Sequence, residues 1–324
     1  KTWEDYLDVA SKIHGQDMNG DGEGDFGSCI FKKRNAQSYF AIQTFAAPIV
    51  QTQGTAQGFH FDNSNMKPII NNDGWKKAFE LYKATGKYGP PDELNMDIGD
   101  TRALFKAGRC GLIVEWGDPG TLQLDDDASA IKGKMYAISA VGSKEVLDRA
   151  TGKLVPVSAS TAPYAVDGIN YAPFAAFGGW AGAVNKGADA KTKAAAYAFL
   201  SYMNQAAQSG VDVTIGATGY NPYRTSQLAS TDLWVKAGMP QALADNYLGA
   251  INGAINNLNM ASDMKIPGAQ KYTSVVLDTE LARYLAGEIS VDEALANIEE
   301  GWEEVTEDFG RDEQVASQAL ALGL

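Results

Sequence analysis

The chain has 324 residues, 40 of them acidic and 27 basic, for a formal charge of −13. That acidity excludes nucleic acid and anionic membrane surfaces as partners, because the field over most of the surface repels both. A hydrophobic content of 45% with 21% charged residues fits a globular chain large enough for two lobes, and no apolar run approaches the ~20 residues needed to span a bilayer.

The first element is a helix. Thr2-x-x-Asp5 resembles a capping box, and Trp3, Tyr6, Leu7 and Ala10 recur at i, i+3, i+4 and i+7. His14 follows at the helix end, where it meets the negative end of the dipole. The next segment, Asp17-Met18-Asn19-Gly20-Asp21-Gly22-Glu23-Gly24-Asp25, sets side-chain oxygens at positions 1, 3, 5 and 9 with glycine at 6. That spacing predicts one structural Ca²⁺ held by Asp17, Asn19, Asp21, the Glu23 carbonyl and Asp25. Ser28 stands where an EF-hand carries its bidentate Glu, so the loop would be weaker or differently closed. The alternative is an acidic, glycine-rich turn that no ion fills. Gly22-x-Gly24-x-x-Gly27 formally matches a dinucleotide fingerprint, but a helix precedes it, and Asp21, Glu23 and Asp25 would repel a pyrophosphate.

Cys29 begins a short apolar run to Phe31, and Cys110 begins another to Glu115; both read as strands. Two readings stay open for the cysteines: a reduced buried pair, or one disulfide in an oxidising compartment. Closed, a loop of about 80 residues would be worth on the order of 4 kcal/mol. Between the two runs, Trp75, Ala78, Phe79 and Tyr82 repeat the helical pattern after Asn72-Asp73-Gly74. Further strands are predicted over Met135–Ala140 and Gly179–Val184. From Asp148 to Phe174 the composition turns to Pro, Ser, Thr, Ala and Tyr. It reads as an irregular hairpin or connection whose Tyr164, Ile169, Tyr171 and Phe174 need burial. Ala195, Ala198, Phe199 and Tyr202 mark another helix, and Ser290-x-x-Glu293 caps one carrying Leu295, Ile298, Trp302, Val305 and Phe309. Helices alternating with short apolar runs predict an α/β fold with buried, mostly parallel strands.

No enzyme signature is present: there is no Gly-x-Ser-x-Gly elbow, His-Glu-x-x-His, Walker loop or kinase motif, and only His14 and His60 are available as neutral-pH bases. The chain is therefore read as a non-enzyme. Aromatic residues on glycine-rich loops carry the binding signal instead. Trp116-Gly117-Asp118 ends a strand, Gly178-Gly179-Trp180 begins one, and Gly219-Tyr220-Asn221-Pro222-Tyr223-Arg224 is a turn-rich loop. Such groupings hold small polar ligands in clefts.

These segments also resemble, in order, the extracellular solute-binding proteins of family 1, the maltose-binding, ABC sugar-transporter type. Matching stretches include Lys1–Leu7, Asp25-Phe26-Gly27, Met66–Asn72, Phe105–Cys110, Trp116-Gly117-Asp118, Gly178-Gly179-Trp180, Asn221–Arg224 and Trp302–Gln314. The resemblance implies a two-lobed, periplasmic-binding-protein-like clamp of type II that closes by a hinge. It also implies an extracellular or periplasmic location, a transporter partner and no catalysis. It places Trp116 and Trp180 at the ligand on opposite lobes, Asp118 as an acceptor for hydroxyl or amine donors, and Tyr220, Tyr223 and Arg224 at the border. The first residues match the middle of a typical member. By this alignment 1–174 and 263–324 form a nearly complete second lobe and 175–262 the later part of the first, which lacks about a hundred preceding residues. Three functions compete: capture of a small polar solute, possibly a carbohydrate; a ligand-sensing ectodomain of a membrane receptor; and a calcium-stabilised structural protein without a ligand.

Overall fold

A computed structural model describes residues 1–124, 129–177 and 179–324, with the Ala217 side chain left aside. Gly178, quoted in one of the aromatic motifs, lies outside the described residues. In chain order the first elements are α1 (Trp3–Ile13), β1 (Phe26–Cys29), α2 (Ser38–Val50), α3 (Asp73–Thr85), α4 (Ile98–Lys106) and β2 (Cys110–Ile113). Then come α5 (Asp118–Leu122), β3 (Glu145–Asp148), β4 (Lys153–Pro156), β5 (Phe174–Ala175), α6 (Ala190–Met203), α7 (Ala206–Asp212) and α8 (Thr225–Leu228). The last are α9 (Asp232–Lys236), α10 (Gln241–Ile255), β6 (Ala261–Ser262), α11 (Asp278–Ala286), α12 (Val291–Phe309) and α13 (Arg311–Leu322). The chain divides into two compact units: Lys1–Val114 with Ser139–Ala176 and Gly253–Leu324, and Glu115–Ile138 with Phe177–Asn252.

The larger unit holds every strand pair found among the described residues. β1 and β2 run parallel, with Phe26 opposite Cys110 and Cys29 opposite Ile113; β5 and β6 are parallel, and β3 and β4 antiparallel. The predicted capping box forms: Asp5 N–H donates to Thr2 Oγ1 and Thr2 N–H to Asp5 Oδ2. The apolar stripe of α1 then turns inward, and Trp3 stacks on Phe45 of α2 with ring centroids 3.7 Å apart. β1 packs under α1 so closely that a Cβ at Gly27 would lie 2.1 Å from the Ala10 carbonyl oxygen. That close approach is the structural use of the last glycine in the rejected dinucleotide pattern. Ser290 caps α12 as expected, and Trp302 from that helix packs among Phe61, His60 and Tyr272 while its Nε1–H donates to the Tyr272 carbonyl at 2.8 Å. Fully buried, this aromatic cluster excludes water over several turns of chain, which is the main favourable contribution to folding in such a core.

Cys29 and Cys110 are joined in a disulfide, with Cα atoms 5.9 Å apart, tying β1 to its neighbour β2. Of the two readings the sequence left open, this is the one the structure takes. Buried polar groups tie the end of α2 to two later segments of the same unit. Asn259 Nδ2–H donates to the Gln51 carbonyl and to Asn170 Oδ1, and Asn170 donates in turn to the carbonyls of Pro48 and Gln51. Both asparagines are fully buried, so each bond offsets a desolvation cost that a missing partner would leave uncompensated.

Several expectations need correction. Met135–Ala140 and Gly179–Val184 form no strand. In the first, the side chain of Asn246 takes both the amide and the carbonyl of Ala137, at 2.7 and 2.9 Å, where a neighbouring strand would bond. The Asp148–Phe174 segment, read as an irregular hairpin or connection, carries the turn and second strand of the regular β3–β4 hairpin; of its residues expected to need burial, Ile169 is buried, Tyr171 and Phe174 are partly buried and Tyr164 is 42% exposed. The compact units also differ from the expected lobes. Glu115–Ile138 joins 177–252, because Gly117 and Gly120 let that segment approach Asn221 and the Tyr247 ring. Residues 253–262 stay with the larger unit through the Asn259 node and the β5–β6 pair.

Candidate ligand site

All six residues read as ligand-binding fall in the smaller unit: Trp116, Asp118, Trp180, Tyr220, Tyr223 and Arg224. Trp116 and Trp180 therefore do not sit one to each unit, as the resemblance implied. The division falls just after β2, so the chain carrying Trp116 already belongs with the segment carrying Trp180.

The core of this unit is Val213, Trp234, Met239, Leu243, Ala244, Tyr247 and Leu248, with Tyr220 and Ile251 packed against it. Onto that core the Trp116-Gly117-Asp118 turn leads directly into α5. Gly117 lets the Asn221 side chain pack close to the turn: a Cβ there would fall 2.2 Å from Asn221 Oδ1, which would have to turn aside. Gly120, the third residue of α5, is held against Tyr247, with the ring 2.4 Å from the position of an added Cβ. The two glycines bring the half-buried Trp116 and the buried Asp118 against the Tyr220–Arg224 loop and α10. Asn221 Oδ1 and the Tyr247 hydroxyl are buried there without a hydrogen-bond partner. Burial, and secondarily the Asp118 charge, push the Tyr247 phenol above its ordinary range, so it stays a neutral donor. Asn221 and Tyr247 were not among the residues singled out from sequence. Asn221 carried a signal, since it sits in the loop that reads as functional; Tyr247 carried none, because its helical spacing is that of a core residue.

The other residues are placed differently. Trp180 is 72% exposed and meets Phe177 edge to face, with centroids 5.0 Å apart. Tyr223 is half exposed beneath the Arg224 guanidinium, 5.4 Å from its ring centre. That guanidinium is committed to the α6–α7 junction: Nε–H donates to Ser209 Oγ at 3.1 Å and Nη2–H to the Asn204 carbonyl. Arg224 thus holds a helix end, and its charge is partly spent there.

In the larger unit, the acidic loop is closed by hydrogen bonds rather than left open. Asp17 accepts from the amides of Gly20, Asp21 and Gly22, Asp21 from that of Glu23, and the buried Asp25 from those of Met18 and Asn19. Arg109 supplies the positive charge. Its Nη1 lies 2.9 Å from Asp21 and 3.2 Å from Glu23, and its Nε 3.0 Å from Asp25. The Glu23 amide, together with Asn19 and Arg109, holds the Asp21 carboxyl below its usual range. Among the described residues no three His, Cys, Asp or Glu side chains converge as a metal-binding group. As arranged, the carboxylates of Asp21, Glu23 and Asp25 are paired with the Arg109 guanidinium.

Two surface depressions, of about 590 and 410 Å³, are lined by Asp73, Lys76 and Glu145 in one case and by Ser230, Thr231 and Asp245 in the other. Neither includes a residue of the predicted site.

The model of the bacterial extracellular solute-binding protein family matches residues 1–241. The chain belongs to that family. No curated relative matches it in sequence. Among solved structures it is similar to an ABC-transporter solute-binding protein of Agrobacterium radiobacter K84 in complex with ribitol, at 19% identity and a TM-score of 0.62, over 94% of this chain and 64% of that one. A counterpart from Agrobacterium vitis S4 with bound D-mannitol gives 20% identity and a TM-score of 0.57, over 95% and 66%. Maltose-bound MalE3 of T. maritima gives 15% and 0.63, over 94% and 65%. At such identities the likeness is one of fold, the mixed α/β, type II periplasmic-binding-protein fold. The chain spans less than two thirds of the length of each of these proteins. Its family is extracellular and binds solutes rather than transforming them. Among the described residues, no helix is long and apolar enough to cross a membrane.

Proposed function

We propose that the protein captures a small polyol or sugar outside the cytoplasm and passes it to a membrane transporter. The observation that carries this reading is the Trp116-Gly117-Asp118 turn: an aromatic face on a loop, beside a carboxylate and the partnerless Asn221 oxygen and Tyr247 hydroxyl. A carbohydrate presents apolar C–H faces for stacking and hydroxyls for such groups, and each aromatic contact contributes roughly 0.5–1.5 kcal/mol beyond its buried area. Trp180, Tyr220 and Tyr223 are assigned to the border of the same site. The ligands of the similar structures, ribitol, D-mannitol and maltose, are the compounds to try first. Family membership favours capture over a sensing ectodomain or a ligand-free structural protein. Further polypeptide, of the length by which the similar structures exceed this chain, is proposed to complete the first lobe.

Calcium at Asp17, Asn19, Asp21, the Glu23 carbonyl and Asp25 is a separate proposal, in which the ion competes with Arg109 for the same carboxylates. Calorimetric titration with Ca²⁺ decides between them.

The functional reading is tested by isothermal titration of the protein, extended to the length of its relatives, with the three compounds. Saturable binding that Trp116→Ala weakens at least tenfold supports it. No heat with any polyol or sugar, or binding indifferent to both Trp116→Ala and Asp118→Asn, sinks it.

A further inference from the structure

The turn between β1 and α2 and the start of α11 bring together a polar cluster in the larger unit, apart from the proposed solute site. Asp278 is 1% exposed; its Oδ2 accepts the Asn35 amide at 2.7 Å, and its Oδ1 has no hydrogen-bond partner. Asn35 takes a left-handed backbone, φ 60°, which Asn tolerates better than most residues. Between Asn35 and Tyr39 in the chain, the Gln37 Oε1 is likewise buried without a partner. The backbone entering α11 is π-helical over Lys271–Leu277, a geometry that is rare and frequent at functional sites. The charges near Asp278 do not balance. Burial, then the charges of Asp278 and Asp263, hold the half-buried Tyr39 phenol above its usual range, so both carboxylates lie near it and it stays neutral. The Tyr82 phenol of α3, also near Asp278, is neutral and bonded to Ser38 and the Phe31 carbonyl. Arg34 brings a positive charge, but its exposed guanidinium donates to Thr279 Oγ1 at 3.0 Å and reaches Asp278 through charge alone.

We infer that this cluster is a binding site for a primary ammonium group, with Asp278 as its counter-charge and Tyr39 and Asp263 beside it. Both partnerless atoms are acceptors, so the missing group is a donor. A carboxylate out of water also needs an opposite charge: a neutral hydroxyl would complete the hydrogen bond and leave that charge uncompensated. An ammonium supplies both, with three N–H donors on one positive centre. Arg34 and Asn35 are exposed and bonded to Thr279 and Asp278, so they cover the site, and a ligand's cation enters by displacing the Arg34 guanidinium. The ammonium belongs to an amino sugar or to a polyamine, which the experiment separates. The inference uses no residue of the smaller unit and stands or falls apart from the Trp116 site.

Isothermal titration of the protein, extended to the length of its relatives, at pH 7 with D-glucosamine and with putrescine tests it; D-glucose and 1,4-butanediol are the neutral counterparts. Saturable binding of either amine, about tenfold or more tighter than its neutral counterpart, is expected, and the amine that binds identifies the source. Asp278→Asn should weaken that binding about tenfold or more, and Arg34→Gln, which removes the competing cation, should strengthen it. Burial pushes the free Asp278 carboxyl up to about 6 and a bound ammonium lowers it again, so binding at pH 6 should release about half a proton. Heats in two buffers of different ionisation enthalpy read that release, which Asp278→Asn should abolish. If Asp278→Asn fails to fold, Arg34→Gln and the proton release decide. No heat with either amine, equal affinity for the neutral counterparts, binding that Asp278→Asn leaves unchanged, or the same proton release with potassium chloride alone would overturn the assignment. Amine binding lost in Asp278→Asn supports it whatever Trp116→Ala does, so the two sites fail separately.

Discussion

At the level of single residues, Arg109 decides how the acidic loop is held. Asp25 is buried at its partner's Nε, so Arg109→Ala would strand a buried carboxylate and should cost about 2–4 kcal/mol in urea denaturation, whereas Arg109→Lys recovers only part. If Arg109 is the only counterion, a chelator leaves the melting temperature unchanged. A chelator-induced drop that Asp21→Ala abolishes would show that calcium has taken its place. The loop's oxygen spacing was visible in the sequence; its guanidinium was not, since Arg109 is distant along the chain and comes beside the loop only where the start of β2 pairs with β1. Two other buried groups set the pH dependence. Asp278, buried against the Asn35 amide, has its carboxyl pushed up to about 6. The folded state therefore holds its proton more tightly than the unfolded state does, and that stabilisation, complete below about pH 4, is lost as pH rises through 6. Asp278→Asn removes the loss and should gain roughly 1–2 kcal/mol at pH 8 relative to its effect at pH 4.5. His60, buried and bonded to Gln43, is depressed to about 3, so its contribution runs the other way and is lost as pH falls below about 6.5. Melting temperatures of the variant and the parent across pH 4–8 separate the two.

Among the elements, those with strong periodicity formed where expected. The Trp75 stripe is fully buried, the Trp3 stripe buries Trp3 and Ala10, and the Leu295 stripe buries all but Phe309, each behind a side-chain cap. α6 shows the limit of that logic: none of its 14 residues is buried, so periodicity identifies an apolar face but cannot say whether it is covered. The runs 135–140 and 179–184 read as strands for the same reason, and without a neighbour they form no ladder. Gly27 offers a direct test of the α1–β1 contact. With backbone 2.1 Å from an added Cβ, Gly27→Ala must push β1 off α1, and a loss of about 2–4 kcal/mol is expected in denaturant titration. Gly15, with nothing within 4 Å but a positive φ of 81°, should lose only about 1 kcal/mol on the same change. Reduction of Cys29–Cys110 releases a closed loop of 81 residues' separation and should lower stability by on the order of 4 kcal/mol by the chain-entropy estimate.

Across the whole molecule, the family and the α/β, type II periplasmic-binding-protein fold were legible from ordered short motifs, and the family match over residues 1–241 and the similar solved structures bear them out. The division into units was less legible, because it depends on Gly117 and Gly120 admitting Asn221 and Tyr247, contacts between residues more than a hundred positions apart. The central claim is that the Trp116-Gly117-Asp118 turn of the smaller unit holds the solute. The most direct test is a crystal structure of the protein, extended to the length of its relatives, with the tightest-binding polyol or sugar. The account predicts a ring or carbon chain stacked on Trp116, with hydroxyls within hydrogen-bonding distance of Asp118 and of Asn221 or Tyr247. A ligand bound with full occupancy elsewhere, leaving Trp116 and Asp118 untouched, would contradict it.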